Sequence, residues 1–113
     1  MSIETRSIDL PAVAREYFAA ANTFDVDRTL AVFAEDAIVT DEGKRISGRE
    51  AIQEWIARTM REFSTTANPE HVDVRDGVVA VTALVSGRFP GSPARLVFGF
   101  TVAGDRIAGL EIL

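Results

Sequence analysis

The sequence predicts an α+β domain in which about three helices come first and a curved antiparallel sheet follows. Three observations predict it. Apolar residues recur at helical spacing over much of residues 9–63. The period changes to two from residue 70 onward, and turn dipeptides divide that second half. The helices' apolar stripes must then cover one face of the sheet, which readily leaves a cavity between the two layers.

Asp9 and Pro11 mark the first helix start, because proline lacks an N–H that a first turn leaves unpaired anyway. Leu10, Ala14, Tyr17 and Ala21 fall on one face, with Val13, Phe18 and Ala20 beside them. Asn22 to Asp25 is a break, after which Asp25 or Asp27 can cap a second helix. Val26, Leu30 and Phe33 are its expected stripe. Ala37 to Val39 reads as a short strand and Asp41-Glu42-Gly43 as a turn. Ser47 and Glu50 have the spacing of a capping box for a third helix, striped by Ile52, Trp55, Ile56, Met60 and Phe63.

The strand half begins with the alternation His71-Val72-Asp73-Val74. Asp76-Gly77 then separates it from a second run, Val78 to Phe89, as in a hairpin. Phe89 to Pro93 is a further turn, Arg95 to Val102 a strand, Gly104-Asp105 a turn and Arg106 to Leu113 the last strand. No repeat, linker or low-complexity stretch interrupts the chain. It is expected to form one domain over residues 1–113, with 1–8 a flexible N-terminal segment.

Composition narrows the function classes. The 113 residues carry a net charge of -5 without a basic cluster, so nucleic acid and anionic membrane surfaces are poor partners. The absence of cysteine excludes disulfides, a thiolate nucleophile and a Cys-based zinc site. One histidine and no ligand spacing give a metal site little support, and no cofactor is implied. Neither G-x-S-x-G nor a phosphate-cradling glycine loop occurs. The N-terminus lacks the apolar core of a secretion signal, and the most apolar run, residues 78–85, is too short to span a bilayer as a helix. A cytoplasmic protein is the expectation.

The phrase A-V-F-A-E-D-A-I-V, followed by D-E-G and S-G-R-E-A-I, resembles the nuclear transport factor 2-like superfamily. More narrowly it resembles the SnoaL-like and ketosteroid isomerase-like branch, over about Asp9 to Leu113. The resemblance implies a cone: a curved sheet wrapped on long helices, with a pocket open to solvent. The isomerase branch uses a carboxylate base after the first strand, plus a tyrosine and a protonated aspartate that stabilise the enolate. Y-F-A-A-A-N resembles the segment that carries the tyrosine and brings Tyr17 onto that position; A-E-D-A-I-V-T-D brings Asp41 onto the base. The third member has no counterpart. Leu96 and Val97 are the nearest matches in a strand without Asp or Glu, which counts against a true steroid isomerase.

Each residue also has a plainer reading. Asp41 can be a turn-starting aspartate bonded to the backbone, or a general base at an apolar pocket. Tyr17 can be a core tyrosine, or a donor to a substrate carbonyl or oxyanion. Phe18, Trp55, Met60, Phe63, Phe98 and Phe100 read first as core, and in this fold as pocket wall. His71 reads as an exposed strand-edge residue, and Arg88 and Arg95 as solvated or surface-paired.

Three functions remain open. One is a cofactor-free isomerase, cyclase or dehydratase that moves a proton on a small hydrophobic carbonyl compound. The others are a non-catalytic pocket for an apolar ligand and a dimerisation module. Both faces of the strand Val78 to Val85 are apolar, which points to a homodimer packed through the sheet.

Overall fold

A computed structural model describes residues 9–113; the flexibility expected of residues 1–8 lies outside the described residues. Three helices, α1 (Ala12–Asn22), α2 (Val26–Leu30) and α3 (Arg49–Phe63), pack on one six-stranded sheet. Its strands are β1 (Phe33–Asp41), β2 (Lys44–Ser47), β3 (Thr66–Arg75), β4 (Val78–Ser86), β5 (Ala94–Ala103) and β6 (Arg106–Ile112). The order across the sheet is β2-β1-β6-β5-β4-β3. Neighbours run antiparallel except β1 and β6, which pair in parallel and join the two halves of the chain.

Strand period two sorts the sheet into two faces. Val79, Val81, Ala83 and Val85 of β4 are buried, as are Phe98 and Phe100 of β5 and Leu110 of β6. The helices close over this face with Ala14, Tyr17, Phe18, Ile52, Trp55 and Ile56, joined by Leu10 just ahead of α1. Asn22 clips the end of α1 to β3: its Nδ2 donates to the Ala67 carbonyl at 2.9 Å and its Oδ1 accepts from the Ala67 N–H at 2.8 Å. This pair of hydrogen bonds satisfies both ends of a part-buried amide.

Several local expectations hold. Asp25 caps α2, accepting from the Arg28 N–H at 3.0 Å. Asp76 and Gly77, at φ 52° and 80°, make the two-residue turn between β3 and β4. His71 is exposed on the edge strand β3, and Arg95 pairs with Glu70 at 2.8 Å on the surface.

Three expectations need correction. Phe33 does not close the α2 stripe: α2 stops at Leu30 and Phe33 opens β1, fully buried. A large apolar side chain at i+7 suits either element, so period alone did not separate them. The Phe33 carbonyl accepts from Arg49 Nη1 at 2.7 Å, and the β1–β6 register shifts between Phe33 and Ile38. Secondly, Ser47 and Glu50 form no capping box. Ser47 is the last residue of β2, Gly48 takes the N-cap at φ 88°, and no side chain caps α3. Thirdly, Asp41 does not start the turn but ends β1. Glu42 and Gly43, at φ 53° and 76°, turn the chain into β2, which puts Asp41 opposite Lys44.

Candidate active site

Ala37 and Val39 of β1 are fully buried, and Asp41 is two residues further along the same face. Its carboxylate therefore points toward the helices. The register sets it in an inner row with Ile112, Phe98, Val81 and Val72, strand by strand across the sheet. Opposite it, α3 presents Trp55, whose Nε1–H donates to Asp41 Oδ2 at 3.0 Å. Burial of an indole is favourable only when its N–H finds an acceptor, and a carboxylate is a strong one.

Tyr17 enters the same interior from α1. Its ring meets Phe18, Phe33 and Phe100 edge to face, with centroids 5.3, 6.0 and 5.5 Å away, and Phe98 lies tilted at 6.4 Å. These contacts fix the ring but leave its polar end alone. No described residue hydrogen-bonds the Tyr17 hydroxyl, and no sealed side-chain oxygen among the described residues lacks a partner. Burial first, and the Asp41 charge second, push the Tyr17 phenol above its ordinary range. It stays a protonated donor throughout the neutral range.

That shift carries a sign that can be measured. Above pH ~10 the unfolded chain releases the phenolic proton that the folded chain keeps, so folding stability falls as pH rises. The slope approaches ~1.4 kcal/mol per pH unit for one proton. Because Tyr17 is the single tyrosine, absorbance near 295 nm reports it alone. Urea unfolding from pH ~9 to ~11.5 should show this loss in the wild-type chain and a shallower one in Tyr17→Phe.

The structure brings together Tyr17, Asp41, Phe18, Trp55, Phe98 and Phe100, all in or beside one buried layer. Met60 and Phe63 sit toward the end of α3 and are only half-buried. Of the two residues nearest the expected acidic donor, Leu96 lies on the inner face opposite Ala83 and Val97 on the outer face opposite Thr82. The polar partner that sequence alone does not reveal is the Trp55 N–H. An indole on a helical stripe gives no sign of which strand residue it will meet. A separate open groove of about 480 Å³ lies between the start of α1, α2 and the β5–β6 turn. Pro11, Val13, Val32 and Val102 line it beside the Glu16–Arg28 ion pair, and none of the predicted site residues does. Among the described residues, no three His, Asp or Glu side chains gather as a metal site. Nor is any helix of the described residues long and apolar enough to cross a membrane.

Three helices packed on one curved, unclosed six-stranded sheet make a nuclear transport factor 2-like fold. The SnoaL-like domain profile matches residues 14–110, and the chain belongs to that family. A candidate polyketide cyclase from Sinorhizobium meliloti, known by crystal structure, is 43% identical, with a TM-score of 0.88 over 93% of this chain and 96% of that one. A Catenulispora acidiphila protein with a ketosteroid isomerase-like fold, solved with trimethylamine, is 20% identical at TM-score 0.80 over 93% and 86%. A nuclear transport factor 2-like protein of unknown function from Cytophaga hutchinsonii is 11% identical at TM-score 0.77 over 97% and 93%. The last two show the fold alone. No curated protein matches the chain by sequence.

Proposed function

We propose that this SnoaL-like domain is a cofactor-free enzyme that transfers a proton on a small hydrophobic carbonyl compound. Asp41 Oδ1 takes a proton from the carbon beside the carbonyl, while the Tyr17 hydroxyl donates to the oxygen that becomes the enolate. The enolate then regains a proton at another carbon, attacks a second carbonyl, or expels a leaving group. These are isomerisation, cyclisation and dehydration. The likeness to a candidate polyketide cyclase favours cyclisation. With Leu96 where a second donor would stand, a steroid isomerase is disfavoured.

The observation that carries this reading is that Asp41 and Tyr17 share one interior. The carboxylate's charge adds to burial in holding the phenol protonated, so the donor and the base lie within electrostatic reach of each other. A substrate-independent assay tests it. In D2O the chain should speed exchange of the α-hydrogens of 2-tetralone, followed by proton NMR, above the buffer rate. Exchange at the buffer rate, together with no binding of phenols, would leave a non-catalytic apolar pocket as the better reading.

The outer sheet face supports a homodimer. Ala80, Thr82, Leu84 and Val97 are half-buried there, beside Gly99 and Gly109, with Asp73, Arg95 and Glu111 as their charged cross-strand neighbours. Sedimentation at micromolar concentration should give twice the 12.3 kDa chain mass. Val97→Asp should return the chain to a monomer. A chain without cysteine and with a net charge of -5 suits the cytoplasm.

A further inference from the structure

We infer that Trp55 is the positioning residue of the Asp41 base, an inference that rests on the proton-transfer reading of the same site. A free aspartate can rotate about χ2 and offer either oxygen. Here the indole N–H on Oδ2 at 3.0 Å holds one oxygen and fixes the plane of the carboxylate. Oδ1 is left as the proton acceptor. The indole itself cannot drift, because Trp55 is 5% exposed and lies between Ile52 and Ile56 in the α3 stripe, both of them buried against the sheet. The bond also spans the two layers: its acceptor ends β1 and its donor sits mid-α3.

The competing account is purely structural. A buried indole needs an acceptor, and Asp41 would then exist to serve Trp55 rather than the reverse. The two accounts differ in what a change at Trp55 does to turnover. In proton transfer, loss of a fixed geometry lowers kcat while leaving substrate affinity nearly alone.

The test has two arms on the full chain. Trp55 is the only tryptophan, so the 1H–15N spectrum holds a single indole N–H resonance. It should move as the carboxylate is titrated with acid, and stay still in Asp41→Asn. In the second arm, Trp55→Phe should lower kcat for 2-tetralone exchange by about tenfold, with KM changed less than about threefold. If that variant does not fold, 3-benzothienylalanine replaces Trp55, keeping the ring and removing the N–H. An indole resonance with the same pH response in wild type and Asp41→Asn would overturn the inference. So would an unchanged kcat in a folded chain lacking the N–H. If the unmodified chain exchanges no ketone, the proton-transfer reading fails, and with it a positioning role in catalysis; a moving indole resonance would then record a structural bond only.

Discussion

Asp41→Asn should slow exchange of 2-tetralone α-hydrogens by about 10²- to 10⁴-fold, the range expected for removal of a general base. The substitution is chosen for what it preserves. Asparagine has nearly the same volume, and its amide oxygen can still accept the Trp55 N–H that Asp41 Oδ2 now receives. The inner row of Ile112, Phe98, Val81 and Val72 is untouched, so the fold should survive. What is lost is the lone pair that a proton can join at neutral pH. Asp41→Ala is a poorer test, because it strands the indole N–H in a half-buried site and confounds stability with chemistry.

Phe100→Ala should cost about 3–5 kcal/mol of folding stability, measured by urea unfolding. Phe100 is fully buried, and its ring centroid lies 5.5 Å from Tyr17, 5.7 Å from Phe18 and 6.5 Å from Phe98. Truncation removes the ring's own transfer energy and leaves a void that three aromatic neighbours cannot collapse to fill. Against a typical total of ~5–15 kcal/mol, that loss is a large fraction. Phe100→Leu, which keeps most of the volume, should cost only about 1–1.5 kcal/mol. The same ring supports Tyr17, so the two substitutions also grade how firmly the phenol is held.

Much of the fold is legible in the sequence because burial follows period. The α1 and α3 stripes and the β3–β4 hairpin come directly from apolar spacing and from Asp76-Gly77. What period does not resolve is β2. Of its four residues, Lys44–Ser47, only Ile46 is apolar and packed on the core, and one such residue does not announce an edge strand. Pairing to β1 creates it, through a turn whose strand register is set by Glu42 and Gly43. The same missing strand explains Ser47, which looks like a cap in the sequence but is spent on a ladder position opposite Ile38.

The site is legible in part. That Asp41 faces inward can be read from the alternation Ala37, Val39, Asp41, once β1 is known to run through to the aspartate. Tyr17 belongs to the core face of α1 by spacing alone. The Trp55–Asp41 bond cannot be read in advance, because it depends on the angle at which α3 crosses the sheet. No local pattern encodes that angle.

The central claim is that Asp41 and Tyr17 act on one oxygen-bearing ligand, and binding of a phenolate tests it most directly. 4-Nitrophenolate mimics an enolate, the species present after the base has taken its proton and become neutral. Titration by calorimetry at pH ~8.5 compares wild type, Asp41→Asn and Tyr17→Phe. Asp41→Asn should bind about tenfold tighter or more, since a like charge a few ångströms from the anion is removed. Tyr17→Phe should bind about tenfold weaker, having lost the donor to the oxyanion. Equal affinity in all three chains would contradict the account, as would weaker binding by Asp41→Asn.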